Sequence, residues 1–113
     1  MPMPSAPAPT PAALIDEALA LTHAMLASGA EGDWDRVIEL EPARRERLHR
    51  AFQPGAGIDQ GAAAKAREIL ALDKQLVAAG VAARDQVAGE LAGMNKGRKA
   101  AKAYGSIGAR SRY

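Results

Sequence analysis

Cysteine is absent from this 113-residue chain, which excludes a disulfide frame, a thiolate nucleophile and a cysteine-based zinc site, and suits a reducing compartment. Aromatic residues are scarce, with one Trp, one Phe and two Tyr, so no stacking platform for nucleobases is visible. The two histidines, His23 and His49, have no carboxylate or second histidine at metal-ligand spacing. No apolar run approaches the roughly 20 residues that a membrane-spanning helix requires. The first residues lack both a basic leader and an uninterrupted apolar run, so no signal peptide is expected. There is no internal repeat and no alternating β pattern. These absences predict a soluble, cytoplasmic chain with one small domain and a modest core.

What the chain does have is helical periodicity. Five of its seven prolines fall within the first eleven residues, which predicts an extended, disordered leader over 1–11. Pro11 suits a first helical turn and Thr10 its cap. Leu14, Ala18, Leu21 and Met25 then predict a first helix over about 12–28, stopping at Gly29. Asp33 is a good cap for a second helix, whose apolar side is predicted to hold Trp34, Val37, Ile38, Leu48, Ala51 and Phe52. Pro42 is expected to kink or interrupt it, because proline removes the bond to the Ile38 carbonyl. Gln53–Gly61 is rich in Gly and Pro and reads as a turn. Beyond it Ile69, Leu72, Leu76, Ala83, Val87, Leu91 and Met94 recur at three- and four-residue steps in a long third helix. Gly93, Asn95 and Gly97 are expected to break that helix before a short fourth one over about 98–104. The predicted fold is all-α: a small antiparallel bundle of three main helices plus a short C-terminal helix, with a long hairpin of helices two and three. Its parts are a leader (1–11), a helical body (12–94) and a basic C-terminal helix and tail (95–113).

The formal charge of +2 conceals an asymmetry. Residues 95–113 hold six Lys or Arg and no acid, whereas the remainder holds nine basic and thirteen acidic residues. The basic end therefore suits an acidic partner or docking on its own body. Two carboxylates, Glu41 and Asp73, fall within apolar stripes, where charge is costly unless paired. A hairpin turning near residue 57 places Arg44 or Arg45 within a turn of Asp73. Glu41, Arg44, Arg45 and Asp73 are accordingly expected to form a polar cluster that sets hairpin register. The glycines of Gly55-Ala-Gly57-Ile-Asp-Gln-Gly61 lack the preceding strand and the Gly-Lys-Ser/Thr ending of a phosphate loop. No constellation for catalysis, metal or cofactor binding assembles, so the chain reads as a binding protein rather than an enzyme. Leu70, Val77 and Val81 lie at the edge of the long stripe, where a small bundle covers them least, and are the candidate partner-binding groove.

Three stretches in order resemble the flagellar export chaperone FliT family. They are Gly32-Asp33-Trp34-Asp35 with Ile38-Glu39-Leu40-Glu41 and Arg44 or Arg45; Ile69-Leu70-Ala71-Leu72-Asp73 with Leu76 and Ala83-Arg84-Asp85; and Gly97-Arg98-Lys99-Ala100-Ala101-Lys102-Ala103-Tyr104-Gly105. The resemblance runs over Leu14–Gly105, and Pro42 departs from it. It implies a small helical cytoplasmic chaperone that binds the filament-cap protein FliD and passes it to the export ATPase and export gate. In some bacteria such proteins also bind the flagellar master regulator. The resemblance further implies a client surface on helices two and three, gated by a last helix that here contains Arg98, Lys99, Lys102 and Tyr104. Two alternatives stand beside it. One is a chaperone of the FlgN class, which serves hook-filament junction proteins; the other is a small basic nucleic-acid-binding module. Chaperones of the FlgN class are similarly helical, so the Gly-Arg-Lys…Ala-Tyr-Gly ending carries most of the discrimination from them.

Overall fold

A computed structural model describes residues 8–110, with side chains described through Lys102. The first seven residues of the leader and the tail from residue 111 lie outside the described residues.

Helix α1 spans Pro11–Ala30. The Thr10 hydroxyl oxygen accepts from the Ala13 N–H at 3.1 Å, satisfying one of the donors that a helix start leaves free. Gly29 does not end α1, as its sequence position suggests. The helix runs one residue further and closes at Glu31, whose N–H reaches the Ala27 and Ser28 carbonyls at 3.2 Å. The left-handed residue is Gly32, with φ 77°, where an L side chain would be strained.

Helix α2 spans Trp34–Ala51, with Pro42 inside it. Asp33 caps it through a 3.1 Å bond from the Arg36 N–H. The expected interruption at Pro42 does not occur. Proline removes one bond, to the Ile38 carbonyl, and both Pro42 and Ile38 are exposed, so water can take the place of the missing donor. Phe52 closes α2 by donating to the Leu48 carbonyl at 3.1 Å. A turn through Gly55, φ 81°, leads to Asp59, whose carboxylate accepts from the Ala62 N–H at 2.7 Å and starts α3.

Helix α3 spans Gln60–Arg110, so residues 98–104 continue it and no separate fourth helix forms. Each interior glycine costs up to about 1 kcal/mol relative to alanine, yet Gly93 and Gly97 are flanked by Leu, Met, Lys, Arg and Ala. No proline follows Pro54, so nothing forbids propagation.

The chain divides into two compact units, Met1–Gly80 and Val81–Tyr113. In the first, α1, α2 and the early turns of α3 share two apolar clusters. One joins Leu14, Ile15 and Ala18 of α1 to Ala51 of α2 and to Ala62 and Ile69 of α3. The other joins Met25, Val37 and Leu76, with Trp34 and Leu40 against them. The start of α1 thus meets the end of α2 and the start of α3, and the end of α1 meets the start of α2. That pairing makes an up-down-up, antiparallel bundle. Thr22 is fully buried among these side chains, and its hydroxyl donates to the Ala18 carbonyl at 2.8 Å. Ile38 and Phe52, expected on the buried side of α2, are 69% and 49% exposed. The helix is turned so that Val37, Leu40, Arg44, Leu48 and Ala51 face inward, leaving Ile38 one step off the contact, while Phe52 sits where the chain leaves the helix.

In the second unit only α3 is present among the described residues. Val87, Leu91 and Met94 are each more than half exposed, as they must be on a helix with nothing of its own unit beside it.

Candidate functional site

Helical geometry decides which apolar residues of α3 meet the bundle. Ile69 and Leu76, seven residues apart, are buried at 3% and 6% exposure. Leu70 and Val77 each follow one of them, about 100° further round the helix, and are 64% and 58% exposed. The candidate groove residues of the first unit therefore flank the packed stripe and present their side chains to solvent. Val81, the first residue of the second unit, is 42% exposed.

Of the four polar residues, two make a contact between helices. Arg44 of α2 and Asp73 of α3 approach to 2.8 Å, with side chains 13% and 37% exposed. This is an ion pair without good hydrogen-bond direction, since the same Arg44 Nη1 is buried and has no aligned acceptor. Glu41 and Arg45 pair within α2 at 3.5 Å across one helical turn, Arg45 being largely exposed. The choice between Arg44 and Arg45 could not be read from the wheel, because the two differ by one helical step. Packing selects Arg44, whose stem lies on the inward face.

Two further links between helices left no mark in the sequence pattern. Lys65 of α3 donates to Asp16 of α1, and Arg47 of α2 lies 3.5 Å from Glu17 of α1. Both depend on the register of α1 against its neighbours, which a periodic pattern does not encode. The Asp16 carboxylate, by hydrogen bond and then by charge, raises the Lys65 ammonium pKa above its ordinary 10.5.

In the second unit, Lys96, Arg98, Lys99 and Lys102 are exposed. The side chain of Tyr104 lies outside the described residues. His23 and His49 are exposed and far apart in sequence. Among the described residues no group of three His, Cys, Asp or Glu is placed to hold a metal ion, and no helix is long and apolar enough to cross a membrane. The chemistry on offer is apolar contact and positive charge, displayed on helices.

Comparison with known proteins agrees with that inventory. The family model described as flagellar protein FliT matches residues 12–106. No curated protein and no solved structure matches the chain. The match takes in all of α1 but its first residue, all of α2 and most of α3. The chain belongs to the FliT family of flagellar export chaperones.

Proposed function

We propose that this chaperone holds the filament-cap protein FliD in the cytoplasm and delivers it to the export ATPase and the export gate. The client surface in this reading is the apolar flank of α3, with Leu70, Val77 and Val81, extended by α2. The observation that carries it is the exposure of Leu70 and Val77, 64% and 58%, on a helix whose neighbouring positions are packed. Large apolar side chains held in water on an ordered helix are what an amphipathic client helix covers. Ile38, 69% exposed, is the contribution of α2.

The basic segment with Arg98, Lys99, Lys102 and Tyr104, which continues α3, is proposed to gate this surface by folding back at Gly93–Gly97, where helix propensity is lowest. Its support is electrostatic: no acid occurs after Glu90, while acids outnumber bases before residue 95. Exposed ion pairs are weak, at about 0–1 kcal/mol each, so a gate of this kind is displaced by modest differential affinity.

Val77→Lys tests the reading. It should abolish capture of the C-terminal segment of FliD while leaving helicity intact. Undiminished capture by the folded variant would place the client elsewhere. Capture of a hook-filament junction protein in preference to FliD would assign the chain the other chaperone role.

A further inference from the structure

Beyond the candidate client residues the second unit carries a further apolar stripe. Val87, Leu91 and Met94 are 54%, 55% and 57% exposed, at steps of four and three residues, and so lie along one side of the helix. Arg98 follows Met94 by four residues and Lys102 follows Arg98 by four. The guanidinium and the ammonium therefore stand in line with the apolar stripe and terminate it. We propose that this face of α3 docks an amphipathic helix of a partner protein, apolar over about two turns and acidic at the end that meets Arg98 and Lys102.

The arrangement of charge selects this occupant over a bilayer. A helix that lies on an anionic membrane carries basic residues along the flanks of its apolar face. Here Glu90 flanks the stripe, Arg84 at its other end is paired with Asp85 at 3.7 Å, and no basic residue occurs between Arg84 and Lys96. Positive charge without an adjacent acid begins where the apolar residues stop. Charge segregated along the axis matches a partner helix with apolar and acidic ends. It also sets the polarity of that partner, because an acid opposite Glu90 would be repelled while one opposite Arg98 or Lys102 is attracted. Nucleic acid is disfavoured for the same reason: phosphate contacts need positive charge along the docking element, and this stripe is neutral to acidic over its apolar turns.

The test uses the full chain and two synthetic helical peptides. Both carry leucines at i, i+4 and i+7; one continues with glutamates at i+11 and i+15, the other with lysines there. Binding is read by fluorescence anisotropy of the labelled peptide. The glutamate peptide should bind about tenfold more tightly than the lysine peptide at low salt, with the ratio shrinking as salt is added. The double variant Arg98→Glu/Lys102→Glu should reverse the preference, and Leu91→Lys should abolish binding of both. Circular dichroism on each variant verifies that helicity is kept. Capture of FliD is scored in parallel on Leu91→Lys, which leaves Arg98 and Lys102 in place. Loss of peptide binding with FliD capture intact separates this surface from the client surface, whereas loss of both together assigns Leu91 to the client site and overturns the proposal. Equal affinity for the two peptides also overturns it. So does binding to vesicles of phosphatidylserine and phosphatidylcholine, or to duplex DNA, without peptide discrimination. Concentration-dependent self-association that Leu91→Lys removes would show that a second copy of the chain covers the stripe, and would likewise overturn it.

Discussion

The indole of Trp34 rests on Gly29: a Cβ added at Gly29 would lie 3.1 Å from Cη2 and 3.3 Å from Cζ3 of the ring, and 3.4 Å from Cδ1 of Leu76. Gly80 of α3 approaches the same ring edge, but a Cβ there would lie 3.7–3.8 Å away, which is ordinary contact. The two glycines thus differ in what they permit. Gly29→Ala gains up to about 1 kcal/mol of helix propensity and loses about 1–3 kcal/mol to overpacking. A net destabilisation of about 1 kcal/mol is expected, and Gly80→Ala should be neutral or stabilising. Urea midpoints of the two variants check this; a Gly29→Ala midpoint at or above the parent's would show that the ring shifts freely.

The Arg44–Asp73 pair predicts an asymmetry. Asp73→Ala removes the partner of a largely buried guanidinium and should cost about 1–3 kcal/mol. Arg44→Met removes the buried charge, keeps much of the stem packing, and leaves an aspartate that is partly solvated; it should cost less. Equal losses in the two variants would mean that the arginine stem, and not the charge, holds α2 to α3.

Lys65 yields a pH dependence with a definite sign. Its folded pKa is raised above the ordinary 10.5 by the hydrogen bond and charge of Asp16. Stabilisation from such a group is fully present below the unfolded value and disappears as pH climbs through the folded one. Both partners are about half exposed, so the effect is small. The parent should exceed Lys65→Met by a small, constant margin at neutral pH, and the margin should vanish only above pH 10.5. A margin that widens with rising pH would contradict the assignment.

Truncation after Met94 addresses the gate. If the basic segment covers the client surface in the full chain, the truncated protein should stay folded and bind FliD more tightly. The first unit contains both apolar clusters, so folding does not depend on the removed residues. Equal or weaker FliD binding by the folded truncation would make the segment a binding element or a bystander.

Much of the fold was legible because it rests on local chemistry. Thr10, Pro11 and Asp33 announce helix starts through donors they satisfy or lack, and Ile69 and Leu76 announce a packed face through their spacing. Pro42 and Gly93–Gly97 misled for a common reason. Each imposes a local cost of known sign, but whether a helix breaks depends on what solvates the freed carbonyl and on the residues either side. For the candidate site, the angular offset of Leu70 and Val77 from the stripe could be read from the wheel. The exposure of Ile38 could not, because it depends on how α2 is rotated against α1 and α3.

By itself the sequence determined the helical character of the chain, its caps and turns, and the separation of charge between residues before and after position 95. Those follow from periodicity, backbone chemistry and counting. Tertiary structure alone decided that Gly29 lies inside α1 beneath Trp34, that Arg44 rather than Arg45 reaches Asp73, and that Asp16 and Glu17 of α1 meet Lys65 and Arg47. The physical reason is that contacts between helices depend on axial shift and rotation. Those are fixed by how side chains interdigitate, and one residue of shift or 100° of rotation exchanges one set of partners for another.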